Sequence, residues 1–256
     1  MGSLDQAVAL VTGGTAGIGL AIARALLDAG ATVVVNGRDG ARGASALSAL
    51  AHPRAFFEAG DCSVGAEARD VADRVVAAHG RLTILVASGG AADVPPALFH
   101  ELADEAFTTV FQTQFLNRVF PIRAALPHMR LTGGSIVIVG TDAGRYATVG
   151  ETLHGGMGAA KIMLTKTLAR EFARWNVRVN CIALTITSGT EAFDAIFARD
   201  DWTRRLFDKA VKRFPFGRPP NAEEVARVAV FFASGQSAQV TGQTLSINGG
   251  LSFGGW

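Results

Sequence analysis

The sequence predicts an α/β fold in which a parallel β-sheet is covered by helices on both faces. Short apolar runs, many of them β-branched, alternate with amphipathic stretches from one end of the chain to the other. A glycine-rich segment separates the first apolar run from the first amphipathic stretch. Strands that alternate with helices pair in parallel, because each helix carries the chain back across the sheet. No linker, repeat or low-complexity tract interrupts this pattern, so we expect residues 1–256 to form one domain.

The first half of the chain shows the alternation most clearly. The run AVALVTG is short, apolar and closed by glycine, as a buried strand is, and the following amphipathic stretch ends at a glycine. The β-branched run TVVVNG then predicts the second strand. The predicted elements of this half are strands at 7–13, 32–37, 55–59 and 82–88, and helices at 18–30, 40–51 and 65–79.

The second half continues the pattern with longer helical stretches. GSIVIVG, VRVNCIAL and QTLSING are apolar runs of strand length, and the segments between them have helical periodicity. The predicted elements are strands at 134–140, 177–184 and 243–249, and helices at about 102–130, 155–174, 190–212 and 222–233.

Composition excludes several classes of function. The net charge is +2 and the basic residues are scattered, which does not favour a nucleic-acid or membrane surface. Cys62 and Cys181 are the only cysteines, and their separation predicts neither a disulfide framework nor a metal site. The first residues lack the basic region of a signal peptide, and no apolar run is long enough to span a membrane. We expect a cytoplasmic protein that binds a small molecule.

The segment TGGTAGIG, residues 12–19, predicts a site for the phosphates of a dinucleotide. Glycines at the end of a first strand permit a tight turn, and the helix that follows presents unpaired N–H groups and a favourable dipole. A glycine-rich turn alone is weak evidence for a dinucleotide site, but its position between a strand and a helix strengthens this interpretation. The residues predicted to bind the cofactor here are Gly13, Thr15, Gly17, Ile18 and Gly19.

The end of the second predicted strand selects the type of cofactor. A carboxylate there binds the ribose hydroxyls of NAD, whereas an arginine suits the 2′-phosphate of NADP. The chain has Gly37 followed by Arg38, which favours NADP(H) over NAD(H); the alternative is a surface arginine in a turn. Asp61 follows the third strand and is placed to accept from the adenine amino group, or simply to cap the next helix.

These motifs resemble the short-chain dehydrogenase/reductase family over essentially the whole chain. Residues 12–19 match its TGxxxGxG motif, and LTKTLAREFARWNVRVN matches the helix and strand after its active site. FPFGRPPNAEEVARVAVFFAS and VTGQTLSINGG match its C-terminal pattern. The resemblance implies a Rossmann-like doubly wound sheet, a nicotinamide cofactor and a homo-oligomer, a tetramer or a dimer. By position it adds Cys62, Ser88 and Gly89 to the cofactor site.

The chain departs from the family at the reacting end. In the family that the chain resembles, the reaction uses a relay of four residues, Asn, Ser, Tyr and Lys. The last two are spaced YxxxK. Counting back from RVN and forward from SIVIVG gives one register, in which these positions are Gln114, Thr141, His154 and Gly158. ASGG stands where the family has NNAG, and ALT replaces its PG. The departures cluster at one end, whereas the adenosine end is nearly intact.

His154 therefore occupies the position of the proton donor. A histidine titrates near about 6.5 and a phenol near about 10, so an imidazole works at neutral pH without the help of a lysine. Thr141 keeps a hydroxyl, and Gln114 keeps an amide on a longer arm. We expect His154 to be catalytic; the alternative is that it fills space or hydrogen-bonds at the start of the helix.

Lys161 is a candidate for restoring the missing positive charge. It lies on the same helix face as His154 and three residues after Gly158, whose missing side chain is expected to leave space for the lysine stem. The alternative is a lysine that faces solvent or an oligomer interface.

Several other side chains have two interpretations. Tyr146 is either a replacement acid or a packing residue, and Asp142 or Glu151 either orients His154 or is an ordinary loop residue. Residues 190–216 resemble the family's substrate-covering helices. Their aromatic side chains fit either an apolar lid or a core stripe: Phe193, Phe197, Trp202 and Phe207.

Three functions remain open at this stage. The first is an NADP(H)-dependent oxidoreductase for a carbonyl or alcohol. The second is an acid/base enzyme that catalyses a dehydration, isomerisation or elimination on the same fold. The third is a non-catalytic partner that binds NADPH and regulates a related enzyme.

Overall fold

The protein is described by a computed structural model that covers residues 4–90 and 94–253. Seven strands form one sheet in the order β3-β2-β1-β4-β5-β6-β7, and every neighbouring pair is parallel. The strands are β1 Val8–Thr12, β2 Thr32–Gly37, β3 Ala55–Ala59, β4 Ile84–Ala87, β5 Gly134–Thr141, β6 Val177–Leu184 and β7 Thr244–Ile247. The predicted doubly wound parallel sheet is confirmed.

Helices connect the strands and cover the sheet. They are α1 Gly17–Asp28, α2 Gly40–Leu50, α3 Gly65–His79, α4 Asp104–Phe111, α5 Asn117–Thr132, α6 Thr152–Phe172, α7 Glu191–Phe197, α8 Trp202–Val211 and α9 Ala222–Ala233. None of the helices in the described ranges is long and apolar enough to cross a membrane.

The sheet divides the core into two layers, and the strand residues alternate between them. Ala9 and Val11 of β1 pack in the layer that contains α1, α2 and α9. Val8 and Leu10 pack in the layer that contains α3, α5 and α6. Successive side chains of a strand point to opposite faces, so a continuous apolar run fills both layers.

Strand order fixes the position of the site. The chain passes from β1 outward to β2 and β3, and then returns to β4 on the other side of β1. The loops after β1 and β4 therefore leave the sheet in opposite directions, and a crevice opens between them at the carboxyl ends of the strands.

The region predicted to form helices at about 102–130 contains two, α4 and α5. A 3₁₀ turn, Phe99–Glu101, precedes α4, and a π-helical turn, Gln112–Leu116, separates α4 from α5. This π-helical turn was not predicted from the sequence, and turns of this kind occur often at functional sites. It carries Gln114 to the crevice.

Candidate active site

Glycine contacts hold the glycine-rich loop against the end of β4. Gly13 has φ +62°, and a Cβ there would overlap the Cα of Gly89. A Cβ at Gly19 would overlap the carbonyl of Gly13 and lie 2.8 Å from Oγ of Ser88. The Ser88 hydroxyl in turn donates to the carbonyl of Thr12 at 3.0 Å. Four of the predicted cofactor residues, Gly13, Gly19, Ser88 and Gly89, thus meet at one point of the crevice.

The first turn of α1 has the character of an anion site. Its N-cap, Ala16, makes no side-chain cap, and no acidic residue lies in the first turn. Gly17 has φ +52°, and the side chain of Ile18 packs on the core and anchors the helix. Thr15 covers Gly37, where a Cβ would lie 2.9 Å from the Thr15 methyl group. N–H groups without a capping side chain at a helix start fit a phosphate group.

Arg38 lies at the rim of this site. Its side chain is 74% exposed, and its Nη1 lies 3.9 Å from Oδ2 of Asp61. Oδ1 of Asp61 accepts from the backbone N–H and the hydroxyl of Ser63 at 2.9 and 2.7 Å. The carboxylate therefore shapes the turn before α3, although the helix N-cap is Val64. Within the part of the chain that the structure describes, this long contact is its ion pair, so the exposed guanidinium remains available to an anion from solvent.

Cys62 has its thiol inside the fold. The thiol donates to Oδ1 of Asn36 at 3.1 Å, and burial, reinforced by Asp61 and Glu67, raises its pKa to about 12. The Asn36 amide is also held by the carbonyls of Glu58 and Gly60. The side chain of Cys62 is therefore a neutral thiol that packs at the ends of β2 and β3.

At the reacting end, Gln114 is tied to the loop after β4. Its Nε2 donates to the carbonyl of Gly90 at 3.0 Å. A Cβ at Gly90 would overlap the carbonyl of Thr113, so the π-helical turn and this loop are in close contact. The register predicted for Gln114 thus places it at the carboxyl end of β4, next to Gly89.

The space expected beside Gly158 is filled by the turn after β5. A Cβ at Gly158 would lie 2.7 Å from the Thr141 methyl group and 2.9 Å from the Cα of Gly144. A Cβ at Gly155 would lie 2.8 Å from the carbonyl of Ala143. The expectation that Gly158 leaves room for a lysine stem is therefore wrong, because the 3₁₀ turn Asp142–Gly144 packs directly on α6.

This packing brings Thr141 and His154 to the same end of the sheet. Thr141 is the last residue of β5, and its hydroxyl accepts from the backbone N–H of Ala143 at 3.3 Å. His154 lies in the first turn of α6, which begins at Thr152. The glycine next to it contacts the turn that follows Thr141.

Glu151 is the carboxyl partner of His154. Its Oε2 lies 3.6 Å from Nδ1 of the imidazole, and the two side chains are 16% and 15% exposed. Burial raises the pKa of Glu151 to about 7. Burial and the charge of Lys161 lower the pKa of His154. Near neutral pH the imidazole is therefore neutral, and the carboxyl group carries a proton in a large fraction of molecules.

Asp142 does not take this role. Its carboxylate accepts from Ser246 at 2.6 Å, from Asn248 at 2.6 Å and from Ser252 at 2.5 Å. It therefore ties the turn after β5 to β7 and to the segment that follows β7. Tyr146, the other candidate acid, is 45% exposed.

Lys161 is buried, which excludes the expectation of a solvent-facing lysine. It is 2% exposed, within the layer between α6 and the sheet. Burial lowers its pKa to about 7, the charge of Arg118 acts in the same direction, and Cys181 opposes it. Burial raises the pKa of the Cys181 thiol to about 11. Lys161 therefore changes its charge near neutral pH.

Arg118 is a site residue that the sequence reading missed. It is 4% exposed on α5 and donates to the carbonyls of Ser88, Gly89, Thr113 and Val139. Burial lowers its pKa to about 10, so it stays charged at neutral pH. The available signal was its spacing, since it lies one helical turn after Gln114 and just before the apolar segment VFPI.

The predicted lid contains two short helices, α7 and α8. Thr190, the N-cap of α7, approaches Gly17, where a Cβ would lie 3.7 Å from the Thr190 side chain. Trp202 of α8 lies against Gly150, at 2.5 Å from a Cβ placed there. The rings of Phe193 and Phe197 are in contact, with centroids 4.4 Å apart and planes tilted by 30°. The segment thus contacts the loops at both ends of the crevice.

Comparison with known proteins gives the family. The sequence model for the family described as enoyl-(acyl carrier protein) reductase matches residues 13–252. The chain belongs to the short-chain dehydrogenase/reductase family. Its resemblance to that family in the motifs is therefore confirmed.

Short-chain dehydrogenase/reductase relatives match along almost the full length. 4-Formylbenzenesulfonate dehydrogenase TsaC1/TsaC2 of Comamonas testosteroni is 36% identical over 97% of this chain and 98% of its own. The 3-oxoacyl-(acyl-carrier-protein) reductase FabG of Chlamydia pneumoniae is 31% identical over 95% of this chain and 96% of its own. A short-chain type dehydrogenase/reductase from Mycobacterium ulcerans has a similar structure, with a TM-score of 0.90 and 27% identity over 97% of this chain and 90% of its own.

The short-chain dehydrogenase/reductase assignment supports oxidoreductase chemistry with a nicotinamide cofactor. Relatives are named for the oxidation or reduction of carbonyl and alcohol groups on small molecules, galactitol 2-dehydrogenase of Agrobacterium fabrum among them. The first turn of α1 and the glycine contacts behind it fit the phosphates of such a cofactor.

Proposed function

We propose that the protein is an NADP(H)-dependent oxidoreductase acting on a carbonyl or alcohol, with Thr141 and His154 in place of the usual serine and tyrosine. The observation that carries this proposal is the half-buried pair of His154 and Glu151 in the first turn of α6, beside the turn that follows Thr141. The pair joins a neutral imidazole to a carboxyl group that holds a proton near pH 7.

The nucleotide site is formed by main-chain groups and one exposed cation. The uncapped start of α1 would hold the diphosphate, with the main chain at Gly13, Gly17 and Gly89 close by. Arg38 would bind the 2′-phosphate, since it is exposed and Gly37 offers no carboxylate in competition. When bound, the dinucleotide gives or takes the hydride.

His154 and Glu151 would move the proton. In the reductive direction the imidazole donates its N–H proton to the substrate oxygen, and the Glu151 carboxyl group replaces that proton at Nδ1. In the oxidative direction each transfer is reversed. The Nδ1–Oε2 distance of 3.6 Å is slightly long, as catalytic contacts often are before the substrate is bound.

The remaining predicted catalytic residues would act around this pair. The Thr141 hydroxyl would orient the substrate oxygen, and Gln114 would hold the loop after β4 in place through Gly90. Lys161 would act through charge, since it is buried and its charge lowers the pKa of His154.

One observation favours a second candidate function. The turn Asp142–Gly144 occupies the place where a side chain at Gly158 would extend, so the family's ribose-binding lysine has no counterpart from this position. A site that binds NADPH without turnover, or that uses His154 for acid/base chemistry alone, would also have this arrangement.

Calorimetry with NADPH and NADH tests the cofactor proposal. We expect tighter binding of NADPH than of NADH, and a loss of this preference in Arg38→Ala. Arg54→Ala is the matched control. Arg54 is also exposed, but it precedes β3 and so lies at the amino ends of the strands, whereas Arg38 lies at their carboxyl ends. Failure to bind either nucleotide would contradict the redox assignment and favour non-redox chemistry.

Oxidation of NADPH with a panel of aldehydes and ketones tests the catalytic proposal. His154→Gln is expected to lower kcat by about 10²–10⁴-fold, the usual contribution of a general acid. His128→Gln is the control, because His128 lies near the end of α5 that leads into the amino end of β5, where it pairs with Asp73 of α3. Binding of NADPH without turnover of any substrate would instead support the regulatory partner.

A further inference from the structure

The fold buries two cations close together without a carboxylate. Arg118 is 4% exposed and Lys161 is 2% exposed. Burial lowers the pKa of both side chains, and the charge of Arg118 lowers the pKa of Lys161 further. No ion pair joins either side chain to an acidic residue within residues 4–90 and 94–253. Burying a charge is costly unless it is paired, so this arrangement calls for a physical explanation.

Arg118 lies directly behind the predicted cofactor residues. Its guanidinium donates to the carbonyls of Ser88 and Gly89, the two residues of the loop that packs on Gly13. It also donates to the carbonyls of Val139 in β5 and Thr113 in the π-helical turn. Its charge is therefore fixed at the carboxyl ends of β4 and β5, between the glycine-rich loop and the reacting end.

Lys161 adds a second charge at the same level. The titratable groups that act on it are Arg118 from α5 and Cys181 from β6, and it acts in turn on His154 of its own helix. Asp142, from the turn packed on α6, is directed to the segment after β7. Glu151, at the start of α6, pairs with His154, and burial raises its pKa to about 7, so its negative charge is only partial at neutral pH. The layer beneath the reacting end therefore has a net positive charge.

We propose that Arg118 and Lys161 form a cationic floor that makes the nucleotide site prefer the reduced cofactor over the oxidised one. The oxidised nicotinamide ring carries a positive charge and the reduced ring is neutral, whereas the rest of the dinucleotide is the same. A fixed positive potential at this end of the sheet would therefore weaken binding of the oxidised form selectively. This inference rests on the proposed binding of a nicotinamide cofactor and does not depend on its 2′-phosphate.

The preference depends on pH through Lys161. Arg118 remains charged across the neutral range, whereas Lys161 gains its charge as the pH falls through about 7. The positive potential at this end of the sheet is therefore larger at pH ~6 than at pH ~8, and so is the expected preference for the reduced form. His154 and Glu151 also titrate nearby, so the Lys161→Met variant is needed to isolate the lysine.

The experiment measures dissociation constants of NADPH and NADP⁺ at both pH values. For the wild type we expect the ratio of the two constants, oxidised over reduced, to be about tenfold larger at pH ~6 than in Lys161→Met, an effect of about 1.4 kcal/mol. At pH ~8 the two proteins should differ little. Lys166→Met, which removes an exposed lysine from the same helix, should behave as the wild type at both pH values.

Arg118 is tested by a pair of variants, because its removal leaves carbonyls without donors and can unfold the protein. Arg118→Lys keeps the charge and is expected to keep the ratio, whereas Arg118→Gln, if thermal unfolding shows it folded, is expected to lower it. A ratio that is unchanged in Lys161→Met at pH ~6, while both forms bind, overturns this inference and leaves the proposed function intact. Failure of the wild type to bind either form overturns both.

Discussion

The two ends of the crevice are both built on contacts between glycines, and their consequences are opposite. At the nucleotide end, Gly13 meets Gly89, so the glycine-rich loop lies against the end of β4. At the reacting end, Gly144 meets Gly158, so the turn after β5 lies against α6. The first contact leaves the start of α1 open to an anion, and the second occupies the space of a side chain.

The difference shows that absence of a side chain does not by itself create a pocket. Interiors are packed close to crystal density, so a backbone moves into the volume that a glycine provides when a neighbour can reach it. At Gly158 that neighbour is the turn Asp142–Gly144, whereas the cations Arg118 and Lys161 are buried elsewhere in the same layer.

The largest effect is expected at the nucleotide end. Gly13→Ala places a Cβ on Gly89 at a residue with φ +62°, so we expect a loss of about 2–5 kcal/mol in the free energy of unfolding and no nucleotide binding. Gly40→Ala is the control, because nothing lies within 4 Å of a Cβ there. Chemical denaturation and calorimetry compare the two. Normal nucleotide binding by Gly13→Ala would contradict the proposed role of the contact between Gly13 and Gly89.

The second effect sharpens the comparison at the reacting end. Lys161→Met removes a buried charge and is expected to stabilise the protein by about 1–4 kcal/mol at pH ~6. The pKa of Lys161 is lowered from 10.5 to about 7, so between these values the unfolded state binds more protons and the wild type gains stability as pH rises. The advantage of the variant is therefore largest below pH ~7 and shrinks towards pH ~10. Denaturation at several pH values measures it, and an advantage that does not vary with pH would contradict a buried lysine.

The smallest expected effect is a pair of opposite changes in stability at two glycines of one helix. Gly156 and Gly158 both lie in α6, but a Cβ at Gly156 has no neighbour within 4 Å, whereas one at Gly158 meets Gly144 and Thr141. Gly156→Ala is expected to stabilise the protein by about 0.5–1 kcal/mol through helix propensity. Gly158→Ala is expected to destabilise it by about 1–3 kcal/mol through overpacking. Equal shifts in the thermal unfolding temperature of the two variants would mean that the turn after β5 moves easily to accommodate a methyl group at residue 158.

The sequence by itself determined the fold and the nucleotide end. Apolar runs and helical periods predicted all seven strands within a few residues, and the glycine-rich segment at the first strand–helix junction placed the loop correctly. These features are local, because the chemistry of the backbone fixes which residues make a tight turn or a buried strand. The register that equates His154 with the proton donor was also readable from spacing alone, and its role remains a proposal.

Only the tertiary structure decided what surrounds His154. It directed Asp142 to β7, left Glu151 as the carboxyl partner, filled the space at Gly158 and buried Lys161 next to Arg118. Each of these facts depends on side chains or turns that come from different elements and meet only when the sheet has formed. Spacing along the chain fixes the direction in which a side chain leaves its own helix or strand. Burial and the resulting pKa shifts arise from the packing of different helices and strands against one another.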